Sequence, residues 1–182
     1  MNALNEHRRY HLAVWIVIAS EALLFAGLFA LYWSYRAEFP AQFDAGITHD
    51  VQWMGGLNTF LLLTSSFAIA WSILMTRQGR RGAATISLVV TLVLGAAFLF
   101  FKFWEWKMHG DEGLVPGSSL FFTLYFLMTG LHALHVIAGM SLVTWVTVRA
   151  ERGLALELVA LYWHFVDVIW VFLWPMFYLA KP

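Results

Sequence analysis

Residues 158–180 read LVALYWHFVDVIWVFLWPMFYLA, and this run decides the fold. As a helix it is long enough to cross the ~30 Å hydrocarbon core of a bilayer. Inside it stand a histidine and an aspartate, His164 and Asp167. A carboxylate at such depth costs at least ~2.5–3.5 kcal/mol on insertion scales unless it is paired or protonated. The run therefore has to bring these two residues to a partner.

Working outward, four more apolar stretches of similar length occupy residues 12–35, 57–76, 83–104 and 119–148. Polar segments separate them: RAEFPAQFDAGITHDVQW, RQGRRG, KMHGDEGLVPG and RAERGLALE. Of the 182 residues, 61% are hydrophobic and 12% charged, too few charges to cover a water-soluble surface. The chain reads as one all-α transmembrane domain over residues 1–182, an integral membrane bundle of five helices. The first stretch is expected to be retained rather than cleaved as a signal peptide, because it is too long, holds Glu21 and has no A-x-A site after it. Absence of cysteine excludes disulfides, iron–sulfur clusters and thiolate copper centres. Acidic and basic residues balance at 11 each with no Lys/Arg cluster, so nucleic acid is not an expected partner.

Orientation follows from basic residues flanking the spans. Seven arginines (Arg8, Arg9, Arg77, Arg80, Arg81, Arg149, Arg152) fall on the N-terminal side, and Arg36, Lys102, Lys107 and Lys181 fall on the other. The N-terminus is expected in the cytoplasm and the C-terminus outside. Trp33, Trp53, Trp104 and Trp106 gather near the outer interface, as an aromatic belt does.

Helical periodicity sorts the polar residues into faces. Asn58, Ser65 and Ser72 recur every seven residues, and Tyr125, Thr129, His132, His135 and Gly139 share a face. Glu157, His164 and Asp167 share another, beside a stripe of Trp163, Trp170 and Trp174. Ala22, Ala26 and Ala30 follow Glu21 at four-residue spacing, which permits close helix contact. Glu21 and Asp167 both lie ~13 Å deep, counted at 1.5 Å per residue, and Glu21 is expected to hold a neutral or hydrogen-bonded carboxyl because desolvation disfavours the charged form. Lys102, Glu105 and His109 share a face at the end of the third span and read as an interfacial salt-bridge cluster.

Four readings of the intramembrane polar set compete. His132 or His135 with His164 could ligate a haem. Glu21, Asp167 and the histidines could hold a non-haem metal. The same groups could carry protons, or they could hydrogen-bond across helices and fix the packing. On the cytoplasmic surface, Glu6, His7, His11, Glu151 and Glu157 would crowd together, and such a cluster could gather protons, since clustered charges raise the local ion concentration.

Three segments then acquire a common meaning. YWHFVDVIWVFLW, TGLHALHVIAG and ASEALLFAGLFALY together resemble subunit III of the haem–copper respiratory oxidases, in its short five-helix bacterial form. LNTFLLLTSS and GLVPGSSLFFTLYF are similar to the same family, in the same order, and Glu157 stands seven residues before His164 as the family pattern has it. The resemblance covers residues 11–180. It implies a non-catalytic subunit in a bacterial inner membrane, a component of a cytochrome c oxidase complex that reduces oxygen to water. Such a subunit carries no haem or metal of its own; the haems and copper lie in partner subunits I and II. It implies direct packing on subunit I, support of proton uptake, and bound phospholipid. Quinol oxidases and nitric-oxide-reductase-associated homologues share the short form.

Overall fold

The computed structural model describes residues 3–49, 52–150 and 153–179, with side chains described for 8–48, 52–150 and 153–179. Six α-helices run through these residues: α1 (Ala3–Glu38), α2 (Pro40–His49), α3 (Gln52–Arg77), α4 (Arg81–Asp111), α5 (Leu120–Val148) and α6 (Leu154–Trp174). A π-helical turn, Pro175–Leu179, extends α6. Among the described residues, five helices are long and apolar enough to cross a membrane, and each contains most of one of the five expected stretches.

Chain reversals are written in local chemistry. Gly79 (φ +74°) and Gly113 (φ +77°) end α3 and α4 in the left-handed region, which glycine enters without a Cβ penalty. Around them, Arg80 N–H donates to the Met75 carbonyl at 2.9 Å and Leu114 N–H to the His109 carbonyl at 2.9 Å. These bonds satisfy carbonyls that a helix end leaves open. At the start of α5, Ser119 is the N-cap and its Oγ accepts from Phe122 N–H at 3.2 Å, the role a serine performs best.

The segment between the first two spans is not an irregular loop. Pro40 supplies the first residue of α2, a position where its missing N–H costs nothing. Phe43 and Ile47, one turn apart, are fully buried. The Phe43 ring meets Tyr32 of α1 at 5.1 Å and Phe121 of α5 at 5.8 Å, edge to face. An Arg36–Asp44 ion pair at 3.7 Å joins α1 to α2. The short helix thus plugs one end of the bundle.

α3 packs most extensively on α4, α5 on α6, and α3 on α6, while α1 touches α5 and α6. Helix α1 is the peripheral one. It buries Ile18, Phe25 and Tyr32 at seven-residue spacing, whereas Ala26 and Ala30 are exposed. The alanine pattern is therefore not the inner face of α1, because the larger aromatic side chains fill the gap to α5 and α6.

Pro175 has no N–H to continue the ladder, and the chain widens there into the π-helical turn. Carbonyls of this turn are met from other helices. Tyr32 Oη donates to the Met176 carbonyl at 2.7 Å, and Gln52 Nε2 to the Tyr178 carbonyl at 3.1 Å. Gly55 leaves the room that Tyr178 needs: a Cβ at position 55 would stand 2.7 Å from the Tyr178 ring and 2.9 Å from the Trp174 ring. We predict that Gly55→Ala costs about 1–3 kcal/mol of stability, the usual range for overpacking. Unfolding in mixed micelles checks this, and Tyr178→Phe should cost less in the Gly55→Ala background than alone, because contacting sites are not additive.

Candidate functional site

The polar groups inside the bundle fall into separate centres. The most enclosed is built on α4. Lys102 and Glu105 are 1% and 0% exposed, so the salt bridge that their spacing implied is formed but is enclosed in the bundle rather than lying on its surface. Lys102 Nζ donates to Glu105 Oε2 at 3.2 Å and to the hydroxyls of Tyr125 and Tyr178 at 2.8 Å each. Both hydroxyls in turn donate to Glu105 Oε1, Tyr125 at 2.9 Å and Tyr178 at 2.6 Å. Each tyrosine accepts from the ammonium and donates to the carboxylate, so the four side chains close on themselves. The ammonium also lies 4.5 Å from the centre of the Tyr125 ring and 5.3 Å from that of Trp170, where the π-face attracts a cation. His109, one further turn along α4, is buried against Phe122 and Tyr125 at 5.5 and 5.3 Å.

A second centre joins α1 to α5. His135 Nε2 lies 3.0 Å from Glu21 Oε2, and His135 Nδ1 lies 2.8 Å from the Leu131 carbonyl. A carbonyl only accepts, so Nδ1 carries a proton. Nε2 then accepts from a protonated Glu21, or the ring is an imidazolium facing a carboxylate; either way the pair shares one proton. Glu21 thus has the hydrogen-bonded carboxyl that its depth called for, and the partner is a fourth-span histidine.

The third centre lies between α3 and α6. Trp163 Nε1 donates to Ser65 Oγ and Trp170 Nε1 to Thr59 Oγ1, both at 3.0 Å. His164 Nδ1 meets Ser66 Oγ at 2.5 Å. Asp167 is 4% exposed, and neither carboxyl oxygen has a hydrogen-bond partner among the described residues. At the α6 N-terminus, Glu157 Oε1 accepts from Arg77 Nη2 at 3.0 Å.

The residues singled out in the sequence therefore do not form one site. Glu21 and Asp167 do not meet, since Glu21 is engaged by His135. His132 is fully buried with its ring 5.2 Å from Trp170 and 5.6 Å from Phe98. His135 uses both nitrogens and His164 turns to α3, so no two of the three histidines face each other as haem ligation requires. Among the proton-antenna candidates, Glu157 is taken by Arg77 and His11 is half-buried. The side chains of Glu6 and His7, and the whole of Glu151, lie outside the described residues.

Comparison with known proteins bears directly on this arrangement. The family described as Cytochrome c oxidase subunit III matches residues 5–181. The chain belongs to the cytochrome c oxidase subunit III family. It is similar to Cytochrome c oxidase subunit 3 of Bacillus subtilis, 31% identical over 96% of this chain and 87% of that one. Quinol oxidase subunit 3 of the same organism is 31% identical over 92% of this chain and 85% of its own length. Heme-copper oxidase subunit I+III of Aeropyrum pernix is 30% identical over 92% of this chain, which spans 22% of that longer one. The family is thus that of subunit III of haem–copper oxidases, in both cytochrome c and quinol forms.

Sequence reasoning missed the Tyr125 and Tyr178 contribution to the Lys102 centre. The available signal was Lys102 itself, which lies inside the apolar stretch 83–104 rather than beyond it. We predict that Lys102→Met costs about 3–5 kcal/mol, since it leaves a buried carboxylate unpaired. The double variant Lys102→Met with Glu105→Gln should lose distinctly less, as measured by a double-mutant cycle of unfolding in mixed micelles. A double-variant loss equal to the sum of the two single losses would show that the charges are independent.

Proposed function

We propose that this chain is the non-catalytic subunit III of a proton-pumping haem–copper terminal oxidase in a bacterial inner membrane. In this reading it packs directly on subunit I and takes part in aerobic respiration without performing the oxygen chemistry. Haems and copper belong to subunits I and II, and cytochrome c is the electron donor. The family match over nearly the whole chain is the observation that carries the reading. The fused subunit I+III relative supports adjacency to subunit I, because one polypeptide there carries both.

The side-chain geometry supports a structural role. His135 has both ring nitrogens engaged, and Lys102 and Glu105 saturate each other through two tyrosines. Groups held this way fix helix positions. The arginine distribution supports a cytoplasmic N-terminus. On that side Glu6, His7, His11, Glu151 and Glu157 collect protons for the neighbouring subunit, and Glu157 is released to do so only as Arg77 lets it go. Phospholipid occupies apolar grooves such as the ~370 Å³ one lined by Phe29, Trp33, Phe172 and Met176.

Affinity purification of the tagged chain in mild detergent tests the assignment. The expected result is a haem–copper subunit I in about equal amount, with oxidase activity towards reduced cytochrome c. Activity towards a quinol alone would transfer the chain to the quinol oxidases, and a Soret band from the isolated chain would replace the reading with a b-type cytochrome. For the antenna, joint replacement of Glu6, His7, His11 and Glu151 should lower turnover most at alkaline pH. An unchanged alkaline fall-off contradicts it.

A further inference from the structure

We propose that the outward face of α6, where it borders α3, is the seat of one transmembrane helix of the oxidase's subunit I, and that this helix brings a hydrogen-bonding group to His164 Nε2. The inference rests on the subunit III assignment and adds to it the face that is used.

His164 Nε2 is an intramembrane polar atom that the bundle neither satisfies from within nor encloses. The residue stands six positions into the apolar stretch that begins at Leu158, ~9 Å deep at 1.5 Å per residue and so inside the ~30 Å hydrocarbon core. Ser66 holds its ring through Nδ1. Nε2 has no hydrogen-bond partner among the described residues, yet it is absent from the sealed-in polar atoms, so it reaches the surface of the bundle. Hydrocarbon offers it nothing to bond. Glu21 and His135, another part-exposed polar pair in the spans, differ on this point, because those two groups answer each other at 3.0 Å.

The surroundings suit a helix. Glu157, Leu161, His164, Val168 and Val171 recur at helical spacing along the outward face of α6, which α3 and α1 flank. Neighbouring positions on α3 are Ser66 and the exposed Ala70, small enough to let a second backbone come close. Val168, one turn from His164, is 51% exposed. The occupant is identified by what the face asks for. It must be a transmembrane segment with a polar group at the depth of His164, and it must belong to a protein that adjoins subunit III. The fused I+III relative names that neighbour. A lipid tail satisfies the shape but not Nε2.

The test uses the intact oxidase carrying this chain, with the photoreactive residue p-benzoylphenylalanine placed at Val168 and, as a control, at Val93, which is 62% exposed on α4. Irradiation is expected to link position 168 to subunit I and to leave position 93 without that adduct. An assembled oxidase in which position 168 links only to lipid, to a second copy of this chain or to another subunit overturns the proposal while sparing the subunit III assignment. Failure of any haem–copper subunit to co-purify with the unmodified chain overturns both. Independently, His164→Leu should raise the fraction of this chain released by detergent roughly three- to tenfold, the effect of one interhelical hydrogen bond. His164→Gln, whose amide can still bond, should stay near the wild type. Equal release from all three forms would also overturn the proposal.

Discussion

A chain inside a bilayer has no water with which to satisfy a polar group, and this constraint organises the whole molecule. Backbone groups are answered by helix formation. Side chains have to be answered by other helices, and the bundle brings many of its buried polar side chains to partners far away in sequence. Lys102 and Glu105 meet Tyr125 and Tyr178, Glu21 meets His135, Trp163 meets Ser65 and Trp170 meets Thr59. These bonds do for the membrane fold what a hydrophobic core does in water, since lipid tails are as apolar as leucine and give helices little reason to associate. Removing one partner is costly because the other remains buried and unanswered.

The distribution of these bonds explains the order of packing. The tryptophan stripe of α6 locks onto the hydroxyls of α3, and the Lys102 centre ties α4 to α5 and to the turn after α6. Helix α1 is held by fewer devices, chiefly Tyr32 on the Met176 carbonyl and Glu21 on His135. It is accordingly the least buried of the five spans, with Leu23 75% exposed.

Much of this was legible in the sequence, and the gaps have physical causes. Hydropathy located all five spans because ~20 consecutive apolar residues match the thickness of the hydrocarbon core. Helix ends extend beyond the apolar stretches, as at Arg81–Asp111, because polar residues continue the helix past the hydrocarbon. The short helix α2 escaped because its apolar positions, Phe43 and Ile47, are only two and carry no long periodic pattern. Spacing put Lys102, Glu105 and His109 on one face correctly, but their burial depends on tyrosines 20 to 76 residues away. Charges near a span end are ordinarily solvated, and only the fold shows that these are not. The family signature around His164 and Asp167 was readable, whereas the pairing of Glu21 with His135 across 114 residues was not.

The polar groups of this chain join its helices to one another; in the proposed function one of them also meets a neighbouring subunit and the redox groups lie elsewhere. A high-resolution cryo-electron microscopy map of the purified oxidase tests that claim most directly. It should show haem and copper density confined to other subunits, His135 joined to Glu21, and a protein group within hydrogen-bond distance of His164 Nε2. Haem or metal density coordinated by His132, His135 or His164 would contradict it.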